Sequence, residues 1–585
     1  MTRNLRYTWA VEDIYVDVKE WEKDFSLAES LIDFSAYKGK LGDEKAFADC
    51  MSAIRKVSRI FGKLSVYAMM LKDSDTGNSE YDALSFKVQN LGVKFYSATA
   101  FVTPELTALD ESVLMRYIKD EKLADYDYML KCILKRKAHV LSENEEKLLA
   151  ESAEETACFK DIFTKIDNAD LPLGKVKHGG KVYELSHGTY GMLMQNGDRV
   201  LRKKVFRKYY SAYGSLLNTI TATYKGSVLK DVFYAKAGKY ESALAAALSE
   251  EDVSVDVYKN LIESVHGALP LLHEYIAEKK KLLGVKSMHM YDMYVPTTAD
   301  ADLKMEYDDA YALVVKGLSC LGDEYCKLLR KAHDERWIDV YEKKAKRSGA
   351  YSVAVYDTHP FVLLNYTKTT HDVFTIAHEM GHSIHSYFSN KNQPYEKADY
   401  KIFVAEVAST VNEVLLVKYL LKEATDKNLK KYLLFYLLEM IRTTLFRQTQ
   451  FAEFEEYSHA CAENGTPITK DSLCAEYLRL NKEYYGDAVV SDDEIATEWA
   501  RIPHFYRAFY VYKYATGIIS ALAIADKILR EGDKAVKGYF EFLSAGDSDS
   551  PVELLKIAGV DLTDKKTFDA AFRVFKDTLE EYKKI

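Results

Sequence analysis

The stretch Asp372–Ser386 constrains this chain more than any other, because it fixes a helix and a cluster of metal-binding atoms together. It reads Asp372-Val-Phe-Thr-Ile-Ala-His378-Glu379-Met-Gly-His382-Ser-Ile-His385-Ser386 and contains H-E-x-x-H. On a helix this spacing sets two imidazoles one turn apart with a carboxylate beside them. At about 100° per residue, His378, His382 and Glu379 fall within an arc of about 100°. Thr375 and Ser386 lie between or beside them, while Ile376, Met380, Ile384, Tyr387 and Phe388 take the opposite side. One face is therefore apolar and suited to a core, and the other presents ligand and acid–base atoms. A chance pentapeptide need not have such a back, so the motif is read as metal-binding. His385, one turn beyond His382, is read as a helix neighbour and not a ligand.

Two histidines leave a catalytic zinc site incomplete, since such sites use three protein ligands and keep one position open. The next helical pattern, Phe403-Val-Ala-Glu406-Val-Ala-Ser-Thr-Val-Asn-Glu413, supplies a candidate. Val404, Val407, Ala408, Val411, Val414 and Leu415 form one apolar stripe, and Glu406 and Glu413 share the other side. Exposed glutamates are common on surface helices. Because the H-E-x-x-H helix needs a ligand from a neighbour, Glu406 is the expected third ligand, with Glu413 a weaker candidate for a supporting contact.

The whole chain sets broader bounds. Its 585 residues exceed one ordinary core, so two or more lobes are expected. Nearly half the residues are apolar and only 9 are proline, which suits a compact, mainly α protein. The net charge of −9 comes without long single-sign blocks, which argues against nucleic acid as partner. The stretch Met1–Trp9 has no apolar core of signal-peptide type, and the longest apolar run, near Gly517–Ala525, is too short for a bilayer. No membrane association is expected. Seven scattered cysteines without C-x-x-C pairs read as reduced thiols of a cytoplasmic protein.

From Val11 to Asp167 the pattern predicts successive amphipathic helices, among them Glu44–Tyr67, Tyr81–Phe101, Glu111–Leu134 and Glu143–Lys165, the last with Ser142 as N-cap. Ala169–Val200 is punctuated by glycines and predicts a small hairpin or connector. It marks the expected boundary between an N-terminal helical domain, 1–190, and a catalytic domain, 191–585. Arg347–Asn365 predicts two short strands just before the metal helix. Such a β element can pair with an extended peptide through its backbone, or be an ordinary hairpin; the pattern leaves both open.

These residues resemble a known family. His378-Glu-Met-Gly-His382 followed by Phe403-Val-Ala-Glu406-Val-Ala-Ser is similar to the thimet-oligopeptidase-like zinc metallopeptidases, and within them to the oligoendopeptidase F group. Ser348-Gly-Ala-Tyr-Ser, Leu363-Leu-Asn-Tyr, Phe446-Arg-Gln-Thr, Phe451-Ala-Glu-Phe-Glu455 and Phe509-Tyr-Val-Tyr-Lys-Tyr-Ala-Thr-Gly517 extend the match. The resemblance implies a two-lobed helical metallopeptidase with a deep substrate channel, one zinc ion, and short unfolded oligopeptides as substrates. It implies His378, His382 and Glu406 as zinc ligands and Glu379 as the catalytic carboxylate. It also implies a late histidine and tyrosines that stabilise the reacting carbonyl oxygen. The corresponding segment is His504-Phe-Tyr506-Arg-Ala-Phe-Tyr510-Val-Tyr512-Lys-Tyr514, whose spacing departs from the thimet-type pattern. A helical wheel places Tyr506, Tyr510 and Tyr514 on one stripe and His504 and Tyr512 elsewhere, so Tyr510 and Tyr512 both stay candidates beside His504.

The expected function is zinc-dependent endopeptidase action. The alternatives are a helical zinc exopeptidase of the dipeptidyl carboxypeptidase type, or a non-catalytic helical scaffold that binds peptides. A structural zinc would need a fourth protein ligand, and none is obvious.

Overall fold

A computed structural model describes residues 5–298 and 303–585. Met1–Asn4, the start of the stretch expected to lack a signal segment, lie outside the described residues. The fold is mainly α, with three small sheets of two, two and three strands among the described residues.

The helices begin where side chains take up the free N–H groups of a first turn. Asp43 accepts from Ala46 N–H and opens the 31-residue helix Glu44–Ser74. Ser142 flanks Glu143–Lys165, its N–H donating 3.0 Å to Glu145 Oε2. The continuous helix expected over Glu111–Leu134 is instead two, Glu111–Lys119 and Asp127–Arg136, joined by a 3₁₀ stretch, Glu121–Tyr126. Asp120 causes the break: its carboxylate accepts the N–H of Lys122 and so starts a new turn in competition with the helix. Likewise the pattern over Tyr81–Phe101 forms Ser79–Thr99, followed by the separate helix Val102–Ala108.

The chain forms two compact units, each built from three segments. One comprises Met1–Val140, Asp302–Lys422 and Ala521–Asp561; the other comprises Leu141–Ala301, Glu423–Ser520 and Leu562–Ile585. The second contains the hairpin Lys175–His178 with Lys181–Glu184, whose turn residues Gly179 and Gly180 have φ of 56° and 75°. Two consecutive left-handed residues give the type I′ turn that glycines favour.

In the first unit, Phe361–Tyr366 is the central strand of the three-stranded sheet. It pairs in parallel with Ile338–Tyr341 and antiparallel with Tyr351–Val353, which forms an edge. Phe361, Val362, Leu363 and Leu364 are all buried, the continuous apolar run expected of a strand covered on both faces. The edge strand is tied to the metal-motif helix by Ser352 Oγ and Ser383 Oγ, 2.8 Å apart. The small β element thus lies beside that helix. Among the described residues no helix is long and apolar enough to cross a membrane.

Candidate functional site

The H-E-x-x-H stretch lies within one helix, Thr370–Asn392. Its start is set reciprocally: Asp372 N–H donates to Thr369 Oγ1, and Thr369 N–H donates to Asp372 Oδ2 at 2.9 Å. Ile376, Met380, Ile384 and Phe388 are buried, and this apolar back turns the polar face outward. The partner helix is Ile402–Glu423, with Val404, Val407, Ala408, Val411, Val414 and Leu415 buried.

Gly381 sets how closely these helices cross. A Cβ at this position would lie 2.5 Å from Ser409 Cα, 2.7 Å from Ala408 O and 2.8 Å from Ser409 N. Only a residue without a side chain allows backbone to pass this near backbone. Asn412 holds the crossing, donating from Nδ2 to Ala377 O at 2.9 Å while its Oδ1 accepts from Tyr325 Oη at 2.8 Å. Both side chains are buried, so this pair of bonds has no water to replace it.

The crossing brings together three donor atoms. His378 Nε2 and His382 Nε2 are 3.2 Å apart, and Glu406 Oε2 lies 3.4 Å from the first and 3.5 Å from the second. A tetrahedral zinc site with bonds of about 2.0–2.1 Å has ligand–ligand edges of about 3.3–3.4 Å. The donor triangle fits that size, and two imidazoles with one carboxylate form a donor set zinc accepts. His378 is oriented from behind, with Nδ1 2.6 Å from Glu413 Oε1. That contact fixes the ring and leaves Nε2 directed at the other donors.

The donor groups shift one another's proton affinities. Burial alone would raise Glu406, but hydrogen bonds from His378 and His382 hold its carboxyl well below the usual range. Burial opposes a charge on His378, yet Glu406 and Glu413 override it and push that imidazole up to about 10. Because a metal binds the neutral imidazole, metal binding and protonation of His378 compete. Glu379, 7 % exposed, is pushed up by burial, with His378 and His382 pulling the other way. His385 faces inward, its ring stacked on Tyr400 at 3.8 Å, and burial lowers it to about 3. It packs with the core as a helix neighbour.

The late tyrosine segment lies in the other unit. His504 and Tyr510 have parallel rings 5.9 Å apart, and Tyr514 Oη is 3.3 Å from His504 Nε2. Tyr512 does not join them. Its side chain is 0 % exposed, with its ring 5.2 Å from that of Tyr258. Tyr506 is also buried, stacked on Phe163 at 4.4 Å. The wheel's pairing of Tyr510 with Tyr514 is found, their rings 5.4 Å apart, but Tyr506 and His504 depart from it because the helix starts only at Tyr512, after a left-handed residue at Phe509 with φ of 50°. Tyr510 precedes the helix and is directed by that reversal, so the group around His504 contains Tyr510 and Tyr514.

The fold and these geometries can be compared with known proteins. A family model described as Peptidase family M3 matches residues 192–574, and one described as Oligopeptidase F matches residues 105–172. The chain belongs to peptidase family M3. This is a metallopeptidase family, and its membership makes the chain a peptidase. The chain is 43% identical to Oligopeptidase PepF of Bacillus subtilis (strain 168) over 99% of its own length and 87% of that protein's. It is 39% identical to an Oligoendopeptidase F homolog of Lactococcus lactis subsp. lactis (strain IL1403), covering 99% of this chain and 97% of that one. The crystal structure of oligoendopeptidase-F from Enterococcus faecium superposes with a TM-score of 0.74 at 34% identity, covering 97% of this chain and 98% of that one.

Two outcomes follow for this M3 chain. Gly381→Ala forces the helices apart and should lower stability by about 1–3 kcal/mol, with weakened metal binding, read by thermal melting and metal titration. Glu413→Gln should keep the fold and weaken zinc affinity by about 10- to 100-fold; unchanged affinity in a chelator competition would remove Glu413 from the site.

Proposed function

We propose that this chain is a zinc-dependent endopeptidase that hydrolyses internal bonds of short, unfolded oligopeptides. The observation that carries the reading is the triangle of His378 Nε2, His382 Nε2 and Glu406 Oε2, sized and composed for one zinc ion. Residues 191–585 are assigned as the catalytic domain and 1–190 as the N-terminal domain, supported by the span of the M3 match. The printed names of the relatives, oligopeptidase and oligoendopeptidase, support the substrate class. A cytoplasmic location is supported by the seven free cysteines.

When bound, zinc supplies Lewis-acid stabilisation of charge at the scissile carbonyl. His378, His382 and Glu406 would hold it, and Glu413, 2.6 Å from His378 Nδ1, keeps that ring in register. Glu379 takes the proton from the attacking water and returns it to the leaving amine. Its burial raises its affinity for that proton, which suits a group that must both accept and release it. His504 and Tyr510 donate to the developing oxyanion, with Tyr514 hydrogen-bonded to His504. Tyr512 is assigned a packing role on the strength of its burial. The edge of Tyr351–Val353 offers backbone groups to an extended peptide.

The exopeptidase alternative requires recognition of a free terminus. A mixture of end-blocked peptides of graded length, followed by mass spectrometry with and without chelator, separates the two. Internal cleavage abolished by chelation and restored by zinc is expected; cleavage confined to peptides with a free terminus would favour the alternative. Glu379→Gln should retain zinc and lose at least about 10²-fold in turnover, and normal turnover at full zinc content would end its assignment as base.

A further inference from the structure

Glu455 lies on the helix Arg447–Glu463 and is 0 % exposed. A buried carboxyl is costly unless it is neutral and hydrogen-bonded. Burial pushes this one well above the usual carboxylate range. Its Oε1 accepts the backbone N–H of Phe509 at 2.7 Å.

Phe509 is where the chain reverses. Its φ of 50° is a left-handed conformation that a bulky side chain avoids, and such a residue persists only when its surroundings over-determine it. The surroundings here are specific. The Phe509 ring packs 4.5 Å from His459 and 5.9 Å from Tyr258. The helix carrying Glu455 is itself anchored, with Tyr258 Oη donating to Ala452 O at 2.6 Å and Tyr224 Oη 2.6 Å from Ser458 Oγ. The next residue is Tyr510, whose ring lies parallel to that of His504, while Tyr512 turns into the core. The direction of both tyrosines is thus decided at one peptide unit.

We propose that Glu455 is a positioning residue, whose buried carboxyl clamps the Phe509 N–H and so directs Tyr510 toward His504 and Tyr514. This rests on the reading that His504 and Tyr510 serve the reacting carbonyl. Losing the clamp frees the reversal to relax toward negative φ, which rotates the Phe509–Tyr510 peptide and displaces the Tyr510 hydroxyl. A displacement of about 1 Å at a catalytic group costs up to about 10²-fold.

The test uses the zinc-loaded full chain and four variants, Glu455→Gln, Glu455→Met, Tyr510→Phe and the Glu455→Met/Tyr510→Phe pair. Glutamine keeps a carbonyl acceptor and the neutral shape, so Glu455→Gln should turn over near the parent rate with slow hydrogen exchange at the Phe509 amide. Methionine fills the volume without an acceptor. Glu455→Met should lose about 10- to 10²-fold in kcat at unchanged KM and zinc content, with faster exchange at that amide. In the Tyr510→Phe background the same change should cost little more, because its effect runs through the hydroxyl already removed. Parent-like kcat in Glu455→Met, or penalties that multiply in the pair, would overturn the positioning role. If Glu455→Met fails to fold, a tenfold or larger kcat loss in Glu455→Gln overturns it equally. A Tyr510→Phe variant with full turnover sinks the carbonyl-donor reading itself, a failure visible before any Glu455 variant is compared.

Discussion

The candidate metal site depends on one contact, the passage of the Thr370–Asn392 backbone over Ala408 and Ser409 at Gly381. Glu406 stands three residues before Ser409, about one helical turn away. The distance at which the helices cross therefore sets the distance between its carboxylate and the two imidazoles. Apolar stripes on both helices supply the general attraction, but apolar surfaces tolerate sliding. The Asn412 to Ala377 bond and the absence of a Cβ at 381 remove that freedom. A site whose three donors stand 3.2–3.5 Å apart is the result of a backbone contact that no donor itself makes.

Much of this was legible in the sequence, for physical reasons that differ by residue. His378, Glu379 and His382 share one helix, and helix periodicity alone puts them on a face. Glu406 depended on the next helix in chain order being the neighbour, and that helix sets its Oε2 within 3.5 Å of both imidazoles. Glu413 reads as a surface glutamate until the His378 ring is placed in three dimensions. Gly381 was visible as a letter, yet only the crossing explains it. The strand pair before the metal helix followed from its apolar run and turn residues. The break at Asp120 was missed because helical periodicity continues through it, while a single carboxylate redirects the backbone locally. The tyrosine segment resisted for a deeper reason. A wheel assumes a helix, and this segment leaves helical backbone at Arg507, which is extended, and again at Phe509, which is left-handed.

The two units show opposite uses of carboxyl groups. Beside His378, the Glu406 carboxyl is held well below the usual range by hydrogen bonds from His378 and His382, which keeps it in the charged form a cation binds. Around Phe509, burial pushes the Glu455 carboxyl well above the usual range, and its Oε1 accepts a backbone N–H. The same side chain thus supplies charge in one environment and shape in the other, as the dielectric around it dictates.

The edge strand Tyr351–Val353 is only three residues long, about 10 Å of extended chain, and its side of the sheet is closed on the inner flank by Phe361–Tyr366. Pairing along so short an edge is a transaction in backbone hydrogen bonds. A chain segment already inside a helix or sheet has spent its N–H and C=O groups internally and has nothing to offer. An extended, solvated segment has both groups free at no conformational loss. Discrimination between folded and unfolded chains can therefore arise from the donor and acceptor state of the ligand's own backbone, whatever its side chains.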